Sequence, residues 1–160
     1  MAVWADGKDV GTTDNPDGSI AYIYTVTGGQ IVLAKSASNV VVGLPYVGQW
    51  GSAKLVQIQS QLGPQGVSLA SMENISGLGI IAANIHPKGL RYGPDFDNMD
   101  TMPSVEEGAR VDQDVVVDDY DQDPFTFPGK WTNDARICLE ARSPRPATVL
   151  AMVCDIKANG

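Results

Sequence analysis

The feature of this sequence that most constrains its fold is a period-two alternation of apolar and polar residues, broken at short intervals by glycine and proline. Between residues 19 and 27, Ile20, Tyr22, Tyr24 and Val26 alternate with Ser19, Ala21, Thr25 and Thr27. Such alternation places every second side chain on one face of a strand. No long 3.6-residue period competes with it. The pattern predicts an all-β fold, an antiparallel β-sandwich or barrel-like domain with at most one or two short helices.

Local turn chemistry marks where several strands end. Gly28-Gly29 predicts a tight hairpin, because both central residues of such a turn need positive φ. Asn15-Pro16-Asp17-Gly18 predicts a second turn. The stretch 67–75 stays open between a short helix and a strand. Further strands are predicted at 30–34, up to Tyr46, and at 54–59, 78–85, 111–120, 135–141 and 147–156. No linker or repeat divides the chain, so residues 1–160 are predicted to form a single domain.

The segment from His86 to Gly108 is predicted to be a long loop or edge excursion, because proline and glycine recur along it. Loops of that length are usually functional or contact a partner. The segment nevertheless has a large apolar content, which a loop facing only water would not favour. Either it folds back on its own domain or it packs against a neighbouring subunit. The residues concerned are Leu90, Tyr92, Phe96, Met99 and Met102.

Charge and cysteine content limit the classes of function. The formal net charge of −8 disfavours tight binding to a phosphate backbone, so a sequence-specific DNA-binding protein is not expected. No apolar run is long enough to predict a membrane span. Cys138 and Cys154 lie in apolar strand-like runs, which favours buried free thiols over a disulfide.

Acidic residues form the densest cluster of potential chemistry. Carboxylate pairs catalyse glycoside hydrolysis, and oxygen-rich loops bind calcium. From Asp95 onward the spacing does not fit an EF-hand, because Met99 stands where an oxygen ligand is needed and Asp100 where the turn needs glycine. A solvated acidic face is the simpler interpretation, with a glycosidase site and an irregular calcium site left open. The acids are Asp95, Asp97, Asp100, Asp112, Asp114, Asp118, Asp119, Asp121 and Asp123.

Other catalytic patterns are weak. His86 is the sole histidine, so a site built on several imidazoles is excluded. No Gly-x-Ser-x-Gly elbow presents a serine nucleophile, and Gly77-Leu78-Gly79 lacks the rest of a phosphate-binding loop. The sequence therefore predicts a protein that is not an enzyme and has no cofactor or metal ligand set. Trp4, Trp50 and Trp131 fit either a carbohydrate-stacking platform or anchors in a core or subunit contact.

A collinear series of motifs resembles the tail nozzle proteins of short-tailed bacteriophages, also called tail tubular protein B or phage stabilisation proteins. The series is V-W-A-D-G, G-G-x-I-V, V-V-G-L-P-Y, G-L-R-Y-G-P-D-F-D, F-x-x-x-W-x-x-D-x-R-I and P-x-P-x-T-V-L-A, and it runs from Val3 to about Ile156. In the longer members of that family this stretch forms one β-rich portion. The resemblance implies a structural virion protein in the phage tail.

The same resemblance implies partners. It implies a homohexamer around a central channel that contacts other tail proteins, with double-stranded DNA only as passing cargo and no membrane. It favours the apolar residues between His86 and Gly108 as a subunit interface. An acidic channel wall would let DNA pass without holding it, because like charges repel. The candidates for that wall are Asp112, Asp114, Asp118, Asp119 and Asp121.

An alternative function belongs to a different class. A chain of this length also fits a small accessory or capsid-decoration domain on the virion, which binds a partner protein or a host glycan. Self-association would favour the nozzle interpretation, whereas saturable sugar binding by a monomer would favour the accessory domain.

Overall fold

A computed structural model describes residues 1–56, 71–103, 105–106, 109–110 and 115–158, and within these it has strands and no helix. The all-β prediction is therefore confirmed. None of the described residues belongs to a helix that could cross a membrane. The strands are β1 (Ala2–Ala5), β2 (Lys8–Asp9), β3 (Thr12–Asp14), β4 (Ile20–Tyr22), β5 (Val40–Gly43), β6 (Val47–Gly51), β7 (Glu73–Ile85), β8 (Leu90–Asp95), β9 (Asn98–Thr101), β10 (Val105–Glu106), β11 (Ala109–Arg110), β12 (Val117–Thr126), β13 (Cys138–Arg142) and β14 (Thr148–Ala158).

Two antiparallel sheets enclose the main core. One has the strand order β12-β7-β14 and the other the order β6-β13-β8-β9. Buried side chains of both sheets belong to a single hydrophobic cluster. The Tyr92 ring of the second sheet lies 4.8 Å from the Phe125 ring of the first, centroid to centroid. A third sheet, β2-β1-β5, and the hairpins β3-β4 and β10-β11 complete the described strands.

Strand β7 is the centre of the core because both of its long edges are paired, with β12 on one side and β14 on the other. Its side chains alternate as a strand between a core and an outer face should. Leu78, Ile80 and Ala82 are buried, whereas Ile81 lies on the outer side and is partly exposed. The strand predicted at 78–85 is thus confirmed and extends back to Glu73.

The segment from His86 to Gly108 was predicted to be a long loop or edge excursion, and the loop alternative is wrong for its first half. That half forms the β8-β9 hairpin, in which β9 is the edge strand of the four-stranded sheet. Gly93 is needed there because a Cβ at that position would lie only 2.0 Å from the Asn98 carbonyl oxygen. Asp95 closes the turn by accepting hydrogen bonds from the Asp97 and Asn98 amides at 3.0 and 2.9 Å. Glycine here allows a close approach of two backbones, and does not mark a loop.

The strand predicted at 111–120 begins later and ends later. Residues 111–114 lie outside the described part, and β12 runs from Val117 through Pro124 to Thr126. Proline is tolerated there because β12 is an edge strand and its register with β7 shifts between Gln122 and Phe125. The strands predicted at 135–141 and 147–156 are confirmed with shifted ends, as β13 and β14.

Both predicted turns are present, but their flanking strands are shorter than predicted. Asn15–Gly18 connects β3 to β4, and Gly28 and Gly29 have φ of 59° and 78° in a turn closed by the Thr27–Gln30 bridge. Residues 31–34 form no strand. Residues 54–56 are not a strand either, and the rest of that prediction lies outside the described residues. Of the stretch 67–75, left open between helix and strand, residues 67–70 also lie outside them, while 73–75 belong to strand β7.

Both cysteines are free, as predicted. Cys138 is buried in β13, while Cys154 is only partly buried in β14. Burial raises the pKa of both thiols, and the nearby carboxylates of Asp95 and Asp155 raise it further. Each therefore behaves as a small apolar side chain.

Candidate functional site

The predicted acidic wall is partly assembled in the structure. Asp118, Asp119 and Asp121 are exposed on β12, a free edge of the three-stranded sheet, while Asp112 and Asp114 lie outside the described residues. Tyr120 points inward, and its hydroxyl donates a hydrogen bond to the Pro103 carbonyl at 3.1 Å. The three carboxylates therefore share one exposed strand. Their exposure fits both a channel wall and an ordinary outer face of the protein.

The predicted subunit interface needs correction for four of its residues. Leu90, Tyr92, Met99 and Met102 are buried within the chain itself, because the β8-β9 hairpin packs them against its own core. The first of the two alternatives, that this segment folds back on its domain, holds for them. Phe96, at the turn, is 42% exposed, and its role in a contact stays a prediction.

The strongest polar cluster lies where the β13–β14 connection meets the N-terminal hairpins. The Arg145 Nε donates to Asp9 Oδ2 at 2.7 Å, and one Nη lies 2.7 Å from Asp14 Oδ1. The other Nη donates to the Thr12 hydroxyl at 3.0 Å, and the Lys88 carbonyl accepts a further bond at 3.1 Å. Thr12 also donates to Asp9. This cluster joins three distant parts of the chain.

In the Arg145 cluster, positively charged side chains pair with carboxylates, as they do in ion pairs that stabilise a fold. Burial tends to raise the pKa of Asp14, but the hydrogen bond and charge of Arg145, with those of Lys88, outweigh it and hold that pKa below its ordinary 3.8. The Asp14 carboxylate lies 3.3 Å from the Lys88 ammonium. A carboxylate held ionised by two cations is a poor proton donor at neutral pH, so the cluster fits a clamp between segments.

A second buried carboxylate, Glu140, lies on β13 of the four-stranded sheet. It accepts hydrogen bonds from the Gln49 amide and the Arg142 Nε, both at 2.8 Å, and lies 3.5 Å from an Arg91 nitrogen. Burial tends to raise its pKa, but these partners outweigh burial and hold it below 4.5. The partners come from β6, β8 and β13 itself, so the network fastens neighbouring strands.

His86 and Asp95 are both occupied by local structure. The Lys88 amide donates to His86 Nδ1 at 3.2 Å, and Trp4 contacts the imidazole edge-on with centroids 6.2 Å apart. Asp95 Oδ1 accepts from two backbone amides and from the Asn98 side chain. Within the described residues, no group of three or more His, Cys, Asp or Glu is arranged to hold a metal ion.

The feature that sequence reasoning missed is an exposed, uncharged surface. No Asp, Glu, Lys or Arg occurs between Lys35 and Lys54, and every residue from 38 to 51 is exposed. We call residues 40–46 the uncharged strip. Three of its side chains, Val41, Leu44 and Tyr46, are more than half exposed, at 61%, 77% and 69%. The absence of charged residues between Lys35 and Lys54 is the sequence feature that could have predicted this surface, since ordinary surfaces contain charged residues at closer intervals.

Beside the strip lies an apolar cleft of about 600 Å³, between the sheet edges β6 and β14. Its walls contain no charged side chain. Trp50 of β6 and Leu150 of β14 stand at its mouth, 48% and 63% exposed. We call this cavity the β6–β14 cleft. It is lined by Gly48, Gln49, Trp50, Leu90, Leu139, Ala141, Ala147, Val149, Leu150, Ala151 and Met152.

The described geometry therefore contains a matched-charge clamp, an acidic edge strand and an uncharged surface with an adjoining cleft. Comparison with protein-family models found no match, and comparison with curated proteins found no similar protein.

Proposed function

We propose that this chain is a structural virion protein, a β-rich part of the tail nozzle of a short-tailed bacteriophage that assembles with copies of itself around the DNA exit channel. The motif series from Val3 to Ile156 supports the family, and one structural observation supports the assembly. That observation is the uncharged strip, exposed in a chain whose net charge is −8.

The physical reason is the composition of protein interfaces. The buried centre of an interface is depleted in charged residues and enriched in aromatic ones. Val41, Leu44 and Tyr46 fit that composition, and leaving them in water sacrifices about 25 cal/mol for each Å² of apolar surface. A virion protein that functions only within an assembly would bury such a strip against a neighbour.

The acidic edge strand β12 fits the proposed channel. Lys and Arg side chains that neutralise phosphates supply most of the affinity of DNA-binding proteins. Asp118, Asp119 and Asp121 on an exposed edge do the opposite, since they repel phosphates at short range. In an assembly with these carboxylates toward the channel, DNA would pass without being retained.

Electron microscopy of the purified protein tests this proposal. We expect negative-stain images to show rings with a central opening wider than a DNA duplex, and we expect no retention of double-stranded DNA at about 0.15 M salt, where surface charges are screened beyond about 8 Å. A protein that stays monomeric and forms no ring, or that binds DNA tightly at this salt, would contradict the proposal.

The accessory-domain function remains the second candidate, and exposed tryptophans favour it. Trp50 and Trp131 are 48% and 46% exposed, and flat indole rings stack on carbohydrate faces. A monomer with saturable binding to host surface glycan, lost in Trp50→Ala or Trp131→Ala, would support this candidate in place of the nozzle.

A further inference from the structure

We propose that the β6–β14 cleft binds a small neutral amphiphile, with the single hydrocarbon chain of that molecule inside the cleft and its uncharged polar head at the mouth. This inference goes beyond the proposed structural role and does not depend on self-assembly. It rests on the volume of the cleft, its elongated shape, the apolar side chains of its walls and the strand edges beside it.

The cleft is open because small residues stand where large side chains normally fill the edge of a sandwich. Ala141 of β13 pairs with Gly48 of β6, and Ala147, just before β14, also lines the cleft. None of the three has a side chain longer than a methyl group. Protein interiors are packed as densely as organic crystals, with few voids larger than a water molecule. A space of about 600 Å³ beside the core therefore departs from ordinary packing, and it lies within the range of about 300–1,000 Å³ that is typical of ligand sites.

The walls of the cleft are continuous with the hydrophobic core. Leu90 and Leu139 belong to the buried cluster, and Val149 and Met152 pack against it. A hydrocarbon group in the cleft would leave water for the same apolar surroundings that the core side chains have. The space is also elongated, because it is lined from Ala147 to Met152 along about 16 Å of chain at about 3.3 Å per residue. An elongated apolar space fits a hydrocarbon chain.

Two strand edges supply polar groups beside this apolar space. In the part of the chain that the structure describes, β6 pairs only with β13, and β14 pairs only with β7. The other edge of each strand presents backbone N–H and C=O groups that require a hydrogen-bonding partner, either water or a ligand. Residues of both strands line the cleft. A hydroxyl or ester group at the mouth can therefore hydrogen-bond to the backbone while the hydrocarbon chain lies inside.

The lack of charge in the walls selects a neutral head group. Among the described residues that line the cleft, none has a charged side chain, and the Gln49 amide is already hydrogen-bonded to Glu140 at 2.8 Å. A charged head group would lose water without gaining an ionic partner, which is costly. An anionic one would also be repelled by a chain whose net charge is −8. We therefore expect an alcohol or ester to bind in preference to a fatty acid.

Trp50 makes occupancy of the cleft measurable. Its cross-strand partner on β13 is Leu139, so the indole lies on the face of the sheet that this core residue shares, and it lines the cleft. A bromine atom on a bound hydrocarbon chain quenches the fluorescence of an indole that it contacts. The other two tryptophans, Trp4 and Trp131, are not among the residues that line the cleft, so their fluorescence should be a constant background.

The test titrates the full chain with the glycerol monoester of a bromine-labelled lauric acid, below the concentration at which this probe forms micelles. We expect saturable quenching with one probe bound per chain. Trp50→Phe should lose the quenching, whereas Trp131→Phe, at a similarly exposed indole outside the cleft, should retain it. The free bromine-labelled laurate, with the same hydrocarbon chain and an anionic head, should bind at least about tenfold more weakly.

A leucine at position 48 tests whether the probe occupies the cleft. A Cβ at Gly48 would meet no atom closer than 3.8 Å, so Gly48→Leu should keep the circular dichroism spectrum and unfolding midpoint while its side chain fills part of the cleft. We expect binding to weaken at least about tenfold, since the added side chain clashes with the ligand. The matched control is Gly43→Leu on β5, where a Cβ would meet nothing within 4 Å. Because Gly43 is outside the cleft, this control should bind like the unmodified protein.

Four results would each overturn the proposal: no saturable quenching of the unmodified chain, equal quenching in Trp50→Phe, equally tight binding of the free laurate, or normal binding by a folded Gly48→Leu. The first three decide the matter even if Gly48→Leu fails to fold. Binding that disappears as the protein self-associates would also overturn it, because another chain would then occupy the cleft. The nozzle proposal stands or falls separately, since rings are seen by electron microscopy without any probe.

Discussion

Replacing Arg145 with methionine should destabilise the protein strongly, although this residue touches no candidate interface. The guanidinium is almost fully buried, with a side-chain exposure of 6%, and Asp9 opposite is exposed by only 5%. Methionine keeps most of the volume and removes the charge. The Asp9 carboxylate would then stay buried with the Gly11 amide and the Thr12 hydroxyl as its remaining donors.

The cost follows from that uncompensated charge. Removing one partner of a buried ion pair costs about 3–5 kcal/mol. Asp14 adds little, because its side chain is 44% exposed and water replaces the lost cation. Since domains of this kind are stable by about 5–15 kcal/mol, the loss is about a fifth or more of the total. At about 2–4 °C per kcal/mol for a chain of this length, the unfolding midpoint should fall by about 6–20 °C.

Thermal and urea unfolding, followed by circular dichroism, measure this loss. The matched control is Arg136→Met, because Arg136 pairs with Asp134 at a similar distance, 2.9 Å, but at the surface. That control should cost less than about 1 kcal/mol. The double variant Asp9→Asn with Arg145→Met should be more stable than Arg145→Met alone, since it leaves no buried charge. Equal losses in Arg145→Met and Arg136→Met would refute the reasoning.

Three further predictions concern the sheets. Gly93→Ala should lower the free energy of unfolding by about 1–3 kcal/mol, because its Cβ would meet the Asn98 carbonyl, whereas Gly43→Ala, with nothing within 4 Å, should be nearly neutral in urea titrations. Glu140 has a folded pKa below 4.5, so its contribution is complete above that pH and is lost as the pH falls through the folded pKa. Glu140→Gln should therefore reduce the loss of stability between pH 5 and pH 3, and an unchanged slope would contradict this. Cys154 should react with a thiol reagent faster than Cys138, because it is less buried; the reverse order would argue against the burial of Cys138.

Turn chemistry could be predicted from the sequence because it is local. Asn15–Gly18 and Gly28-Gly29 turn where predicted, since the required φ values belong to those residues themselves. Local reasoning failed at Gly93. Glycine is required there because the backbone of Asn98, on the other strand of the hairpin, lies too close for a Cβ. Pro124 lies within β12, beyond the end at residue 120 that was predicted for that strand. Its tolerance depends on β12 being an edge strand, which is a property of the sheet and not of the sequence nearby.

The candidate sites differ in how much of each could be predicted from the sequence. The acids of β12 are neighbours along the chain, so their clustering could be predicted. The Arg145 clamp could not be, because Arg145 and Asp9 are separated by 136 positions and nothing local to either indicates the other. The apolar residues between His86 and Gly108 were favoured as an interface because glycine and proline predicted a loop or edge excursion there and the family resemblance implies a ring of subunits. Their burial depends on how the hairpin lies against the core.

Charge is distributed over this chain in a way that links its stability to its proposed assembly. The buried Arg145 and the partly buried Arg91 contact carboxylates and backbone carbonyls of the same chain, and these contacts fasten one segment to another. The exposed acids of β12 keep one sheet edge from pairing, because like charges on approaching strands repel. The strip at 40–46 has no charged residue and so lacks this protection. A domain that shields one sheet edge with charge and leaves another uncharged restricts where a neighbour can bind, and this restriction favours an ordered assembly over random aggregation.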